Sequence, residues 1–196
     1  GKVLWEPDLD RLNGDWGRYL DLDEDGIPYR TVPGNRHKRS AYFARGTGHD
    51  EYARYTEDPE VWKRNMERLN RKFETARTLV PKPVIDSKGS ESDIGIIAFG
   101  STDPAIQEAR DHLLDAGLKT DYLRLRALPI GKEVVDFIRD HKRIYVVEMN
   151  RDGQLHQLLS LEVPDKALSI ISLTHNDGLP LTAKWIERAV LTEEKR

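Results

Sequence analysis

Cysteine is absent from the 196-residue chain. Its absence excludes disulfide bonds, thiolate zinc sites and iron–sulfur ligation within this polypeptide. Long apolar runs are lacking too, since no stretch approaches the roughly 20 apolar residues that a membrane-spanning helix needs. The N-terminal GKVLWEPD has no basic stretch followed by an apolar one, so it does not look like a signal peptide. We therefore expect a cytoplasmic protein without a membrane partner.

The composition shows few aromatic residues and no strong excess of one charge. Aromatic residues make up 8% of the chain and its formal net charge is -3, so we expect no general affinity for nucleic acid. No G-x-S-x-G, Walker or G-x-G-x-x-G pattern occurs, which argues against a standard hydrolase, nucleotidase or dinucleotide-binding protein. The chain begins on Gly1 rather than Met, which suggests a cut or processed polypeptide.

Three regions precede residues 93–196, in which strands and helices are predicted to alternate. Residues 1–56 are rich in Gly, Pro, Asp and Arg without a sustained period, which predicts an irregular extension that packs on a partner or on further chain. Residues 57–80 are predicted to form a connecting helix that Asp58 caps. Its basic residues form a partner surface or, as we favour, a solvated face. Residues 81–92 are predicted to be a linker with a short edge strand. The connecting helix has one apolar stripe, formed by Trp62, Met66, Leu69, Phe73 and Ala76.

Residues 93–196 alternate apolar strands with amphipathic helices, beginning with the strand IGIIAFG and the helix DPAIQEARDHLLDAG. This alternation predicts an α/β fold of three layers, with helices on both faces of a mostly parallel sheet. Asp103 is predicted to cap the first helix of this region, and Gly117 is predicted to end it. The side chains predicted to face inward from it are Ile106, Ala109, Leu113 and Leu114.

Two of the predicted strands end in polar residues. Ser101 and Thr102 follow one strand and precede a helix, whose N-terminus favours anions. Glu148, Asn150 and Gln154 follow another strand around an Asp-Gly turn. In a doubly wound sheet, ligands bind beyond the carboxyl ends of the strands. These side chains are therefore candidates for ligand binding, and the alternative is that they only cap helices and close turns.

Two further segments carry clustered polar residues. DLDEDG, residues 21–26, begins like a calcium-binding loop, but Pro28 and Val32 stand at later ligand positions, so we favour a turn. RGTGHDEY, residues 45–52, places His49, Asp50 and Glu51 beside two glycines. That loop is either a substrate-facing segment or an exposed turn, and its spacing is poor for a metal. We predict neither a metal site nor a catalytic residue in the chain.

Several stretches together resemble the C-terminal portion of the alpha subunit of 2-oxoacid:ferredoxin oxidoreductases, most like the 2-oxoglutarate type. They span nearly the whole chain in the family's order. Gly48 and Ala53 depart from the family pattern, which has Glu directly before the residue matching His49 and Gly soon after the residue matching Tyr52. The stretches are GRYLDLDEDGIPYRTVPG, GTGHDEY, EVWKRNMERLNRKFE, IIAFGSTDPAIQEA, LRLRALPI and VVEMNRDGQL.

The resemblance implies a transketolase C-terminal-like domain with a five-stranded sheet, in which the first strand is antiparallel and strand 93–99 lies beside strand 143–149. Glu148 and Asn150 would then close the mouth of a crevice opposite Gly100, Ser101 and Thr102. Either they fix the turn and a subunit contact, or they hold a polar ligand. We favour the first, because a carboxylate would repel an anion attracted to the helix N-terminus.

Enzymes of this family decarboxylate a 2-oxoacid on thiamine diphosphate, bound with Mg²⁺, and transfer the acyl group to coenzyme A. Electrons pass through iron–sulfur clusters to ferredoxin. The resemblance implies that this chain holds none of these cofactors, that its partners are the beta subunit and missing N-terminal domains, and that it is inactive alone. The alternatives are a similar domain of another thiamine-dependent oxoacid dehydrogenase, and a stand-alone module that binds anions or coenzyme A through Ser101 and Thr102.

Overall fold

The computed structural model describes residues 1–14, 16–43, 46–87 and 92–195. They belong to two compact units, Gly1–Leu79 and Val80–Arg196. Residues 88–91 of the predicted linker and Arg45 of the predicted glycine-containing loop lie outside the described residues. No helix in the described ranges has the length and apolar character required to cross a membrane.

The described residues of the first unit contain two α-helices, α1 (Glu6–Arg11) and α2 (Pro59–Leu79). The carboxylate of Asp8 accepts the Trp5 backbone N–H at 3.0 Å at the start of α1, and this bond lowers the pKa of Asp8. Asp58 caps α2 as predicted, because its Oδ1 accepts the Glu60 N–H at 2.8 Å. Outside these helices, the described residues of this unit form turns, bends, isolated bridges and irregular segments. Its buried apolar cluster consists of Leu4, Leu9 and Trp16.

Polar contacts attach α2 to the loops of its own unit. Arg68 is only 7% exposed, and its Nη1 donates to the Gly26 carbonyl at 3.0 Å. Burial lowers the pKa of this guanidinium. Arg64 pairs with Glu51 at 3.0 Å. The favoured prediction of a merely solvated basic face is therefore wrong for Arg68, whereas Arg64 is exposed as predicted and also pairs with a loop carboxylate.

The second unit alternates strands and helices as the sequence predicts. Its predicted helices and strands occur in order, with their ends within a few residues of the expected positions. The elements are β1 (Val84–Asp86), β2 (Ile94–Phe99), α3 (Asp103–Asp115), β3 (Asp121–Leu125), α4 (Lys132–Asp140), β4 (Arg143–Glu148), α5 (Gln154–Glu162), β5 (Ile170–Thr174) and α6 (Ala183–Glu193).

These strands form one five-stranded sheet in the order β1-β3-β2-β4-β5. The edge strand β1 is antiparallel to β3, whereas all other neighbours are parallel. Because β2 lies between β3 and β4, the chain leaves β2 first to one side and later returns to the other. The expected neighbours 93–99 and 143–149 are therefore adjacent, and the strand order reverses between them.

Helices cover both faces of the sheet, which confirms the three-layer α/β/α prediction. On β4, Tyr145 and Val147 face one apolar cluster while Ile144 and Val146 face the other. This division follows from the two-residue period of a strand. α3 and α6 supply side chains to the first cluster, and α4 and α5 to the second.

The structure corrects two details predicted for α3. Asp103 does not cap this helix; its carboxylate instead accepts the Tyr122 hydroxyl at 2.9 Å and pairs with Arg124 at 3.3 Å. Leu114 is exposed rather than inward, because its neighbour Leu113 takes the position that faces the core. Gly117 ends the helix as predicted, with φ at +86°.

Candidate functional site

A crevice of about 410 Å³ lies at the carboxyl ends of β2, β3 and β4. This is the edge of the sheet at which ligands bind in doubly wound folds. Three residues predicted from the sequence, Glu148, Asn150 and Gln154, line it. The other lining residues are Phe99, Gly100, Leu125, Arg126, Ala127, Leu128, Leu155 and Leu158.

Glu148 is fully buried, and its carboxylate caps the N-terminus of α5. Its Oε2 accepts the Leu155 N–H at 2.9 Å, and its Oε1 accepts the His156 N–H at 3.0 Å. The Asn150 side-chain amide donates to the same Oε2 at 2.6 Å. These donors satisfy the buried negative charge, which would otherwise be costly. The carboxylate therefore holds the start of α5, and its predicted part in a subunit contact stays a prediction.

Asn150 closes the turn between β4 and α5. Its Oδ1 accepts the backbone N–H groups of Asp152 at 3.1 Å and Gly153 at 2.8 Å. Gly153 has φ at +62°, and a Cβ there would lie 2.6 Å from the hydroxyl of Ser172. The turn consequently requires glycine at this position. Gln154, the next residue, is exposed and lines the crevice.

The turn Gly100–Thr102 leads from β2 into α3 and forms the second predicted cluster. Gly100 lines the crevice, Ser101 is exposed and Thr102 is buried. Thr102 occupies the cap position of α3 without a side-chain capping bond. The structure therefore brings Gly100 together with Glu148 and Asn150, and it places Ser101 and Thr102 just beyond them.

Apolar residues dominate the crevice, and the sequence motifs do not identify them. Phe99, Leu128 and Leu158 line it while remaining 41%, 51% and 45% exposed. Phe99 could have been found as the last apolar residue of a strand whose carboxyl end meets the crevice. Arg126 is the lining cation, and its Nη1 lies 3.4 Å from the Lys82 carbonyl oxygen. Since Glu148 is committed to the α5 cap, the crevice offers apolar contact area rather than a proton acceptor.

The loop that carries His49, Asp50 and Glu51 lies in the first unit, and these three side chains stabilise the loop itself. The His49 ring stacks on Tyr19 with centroids 4.0 Å apart. Asp50 accepts the backbone N–H groups of Tyr52 at 2.9 Å and Arg54 at 2.8 Å. Glu51 pairs with Arg64 of α2. A cavity of about 460 Å³ adjoins this loop, with His49 in its wall.

The DLDEDG loop is a turn, as favoured from the sequence. Both carboxylate oxygens of Asp21 accept the Gly26 N–H, at 2.9 and 3.1 Å, and Arg71 also pairs with this carboxylate. Asp23 accepts the Tyr29 hydroxyl at 2.6 Å, which raises the pKa of that tyrosine. The described residues contain no group of three or more His, Asp or Glu placed to hold a metal ion. A chain without cysteine does not fit an iron–sulfur cluster.

Known proteins similar to this chain were found by sequence and by structure. No protein-family model matches it. The alpha subunit of 2-oxoacid:ferredoxin oxidoreductase 2 from Aeropyrum pernix is 32% identical over 197 residues, which cover 96% of this chain and 29% of that subunit. A solved 2-oxoglutarate:ferredoxin oxidoreductase from Magnetococcus marinus, with 2-oxoglutarate, coenzyme A and succinyl-CoA bound, superposes with a TM-score of 0.72. That match has 27% identity and covers 92% of this chain and 31% of the other.

A split-gene transketolase covers 56% of this chain with a TM-score of 0.47, which is too low to support an argument. The chain spans about a third of the length of the two oxidoreductase chains described above. Both of those matches extend over nearly all of this chain, so they include the irregular first unit as well as the α/β unit. The chain is therefore homologous to part of the alpha subunit of the 2-oxoacid:ferredoxin oxidoreductases.

Proposed function

We propose that this chain is the scaffold and subunit-interface portion of the alpha subunit of a thiamine-diphosphate-dependent 2-oxoacid:ferredoxin oxidoreductase. We further propose that the oxoacid is 2-oxoglutarate and that the chain alone is inactive. The observation that carries this proposal is the match over 92% of the chain to the Magnetococcus marinus enzyme, which was solved with 2-oxoglutarate and coenzyme A.

The chemistry of the described residues supports a scaffold role. Among the described residues, Glu148 is the only carboxylate that lines the crevice, and it is used by the start of α5. The chain has no cysteine, so iron–sulfur clusters would have to be held by residues outside these 196. Thiamine diphosphate and Mg²⁺ would likewise be bound by domains outside this chain. The beta subunit and further domains of the alpha subunit are the proposed structural partners. Ferredoxin and coenzyme A would be substrates of the assembled cytoplasmic enzyme.

A pull-down from the source cells tests this proposal. An affinity tag is placed on the polypeptide that contains this sequence, and the purified material is assayed with 2-oxoglutarate, coenzyme A and ferredoxin. We expect succinyl-CoA formation and ferredoxin reduction, with lower rates for pyruvate and branched-chain oxoacids. The isolated 196-residue chain serves as the matched sample, and we expect no turnover from it.

Three outcomes would contradict parts of this assignment. Reduction of NAD rather than ferredoxin would select another thiamine-dependent oxoacid dehydrogenase. Turnover by the isolated chain would refute the scaffold role. Tight binding of coenzyme A or phosphate to the isolated chain, lost in the double variant Ser101→Ala/Thr102→Ala, would favour the stand-alone binding module.

A further inference from the structure

The helix α2 presents its apolar stripe to solvent. Trp62, Met66 and Phe73 are 58%, 40% and 56% exposed. The buried residues of the helix are instead the polar Asn65 and Arg68. This arrangement reverses the usual amphipathic helix, in which the apolar stripe faces the core and the polar residues face water.

Hydrogen bonds to three loop carbonyls determine which face turns outward. Asn65 donates to the His49 carbonyl at 2.8 Å, and Arg68 donates to the Gly26 carbonyl at 3.0 Å. Thr75 donates to the Asp25 carbonyl at 2.6 Å. A rotation of α2 that buried its apolar stripe against these loops would break all three bonds. The exposed stripe is thus a consequence of the contacts that hold the helix in its unit.

The first unit has little other apolar burial with which to stabilise itself. Among its described residues, the large apolar side chains that are buried are Leu4, Leu9 and Trp16. Units of this size with so small a core normally need an additional partner or cross-link. A contiguous exposed apolar stripe is also the usual mark of an interaction surface. Covering the stripe would therefore complete the core of this unit.

The sequence along the stripe indicates the shape of what covers it. Trp62, Met66, Leu69, Phe73 and Ala76 follow one another at spacings of four, three, four and three residues. This is the spacing of a seam between two packed helices. By the 3.6-residue helical repeat, an exposed lysine flanks each side of the seam. These lysines are Lys63 and Lys72, and neither forms an ion pair with a residue that the structure describes.

We propose that this seam of α2 binds an amphipathic helix of a partner polypeptide, whose apolar stripe is flanked by Asp or Glu residues that pair with Lys63 and Lys72. The apolar spacing selects a helix, and the two lysines select an acidic one. We infer that the helix belongs to another subunit of the oxidoreductase, and only this part of the proposal rests on the proposed function.

The absence of cysteine allows a direct test of burial in the assembled protein. Met66→Cys places a single thiol in the seam, and Glu67→Cys places one on an adjacent exposed position as the matched control. Both variants are introduced into the tagged polypeptide, and maleimide labelling of this sequence is followed by peptide mass spectrometry. We expect labelling at position 66 to be at least tenfold slower in the complex than in the isolated chain, and labelling at position 67 to change less than twofold.

Carbodiimide coupling of the same complex tests the charge of the partner. This reagent joins a lysine amine to a carboxylate that touches it, so Lys63 or Lys72 should become linked to an Asp or Glu of the partner helix. Exposed Lys38 of the same unit serves as the control and should remain uncoupled to that helix. Protection of position 66 without such links would overturn the acidic-helix assignment.

The remaining outcomes separate this proposal from the proposed function. Equal labelling at position 66 in an active oxidoreductase would overturn the docking site and leave the enzyme assignment intact. A tagged polypeptide that purifies as a monomer would overturn both. Protection at position 66 in a self-associated isolated chain would show that a second copy, not an acidic partner helix, covers the seam. If the partner belongs to a different enzyme, protection and lysine coupling would still support the docking site while the proposed function fails.

Discussion

The side-chain amide of Asn150 lies 2.6 Å from Oε2 of Glu148, which joins the two polar side chains that follow β4. Both are engaged with backbone N–H groups at the start of α5. A buried carboxylate and an amide at the end of an apolar strand thus organise the strand–helix connection. The crevice beside them takes its shape from this connection.

Substitution of Glu148 should therefore destabilise the α/β unit. Glu148→Gln replaces one acceptor oxygen by an NH₂ group that faces backbone donors, so we expect the free energy of unfolding to fall by about 3 kcal/mol. Urea denaturation followed by circular dichroism measures this change. The control Gln154→Ala alters an exposed lining residue and should change the free energy by less than about 0.5 kcal/mol. A Glu148→Gln chain as stable as the original would refute the capping role.

Much of the α/β unit could be predicted because apolar strands and amphipathic helices alternate regularly in its sequence. The run Ile144–Val147 is apolar without interruption, and a strand covered on both faces buries every residue of such a run. The meeting of Gly100 with Glu148 followed from the strand order that the family resemblance implied, because neighbouring parallel strands end at the same edge of a sheet. The sequence favoured a turn-fixing role for the Glu148 carboxylate without identifying its partners, because the same residue can face a ligand or cap a helix. The choice depends on the path of residues 149–155.

The packing of α2, in contrast, could not be predicted from the sequence. Sequence patterns identify an apolar stripe, but they do not say whether its cover lies in the same chain. The contacts of Asn65 and Arg68 depend on carbonyl groups of distant loops, and no periodicity in the helix reports them. The irregular residues 1–56 also lack the repeated pattern from which such contacts could be inferred.

Gly26 is predicted to be required for the approach of its loop to α2. Its φ is +80°, and a Cβ there would lie 2.2 Å from the Lys72 backbone nitrogen. Gly34 is a matched control, because its φ is +96° and an added Cβ meets nothing within 4 Å. We expect Gly34→Ala to cost about 1 kcal/mol from backbone strain alone, and Gly26→Ala to cost at least about 2 kcal/mol more because α2 must move. Equal losses in urea denaturation would show that α2 does not pack there.

Ala53 should be improved by glycine. It adopts φ at +65°, in the left-handed region that disfavours residues with a Cβ. It is also the position at which the sequence departs from the glycine expected from the family resemblance. We predict that Ala53→Gly raises the free energy of unfolding of the first unit by up to about 1 kcal/mol. The control Ala76→Gly, in the interior of α2, should lower it by about 1 kcal/mol; a loss in both variants would contradict the prediction.

Two buried tyrosines should make the α/β unit less stable at alkaline pH. Tyr122 donates to Asp103 at 2.9 Å, and Tyr145 donates to Glu194 at 2.5 Å. Burial first, and then these carboxylate partners, raise the pKa of both phenols above the ordinary value of about 10. The stabilisation is fully present below pH 10, where the unfolded chain also keeps its phenolic protons. Above that pH the unfolded chain loses them first, so the free energy of unfolding falls.

The contribution of each phenol can be isolated by comparing variants across pH. Each tyrosine should contribute up to about 1.4 kcal/mol of lost stability per pH unit above pH 10. Tyr122→Phe and Tyr145→Phe should both be less stable than the original chain at pH 7, because each loses a hydrogen bond. That difference should shrink as the pH rises from 10 to 11, since the variant has one fewer phenol to titrate. Urea denaturation at pH 7, 10 and 11 measures the difference, and a constant difference would show that the buried phenols do not couple to folding.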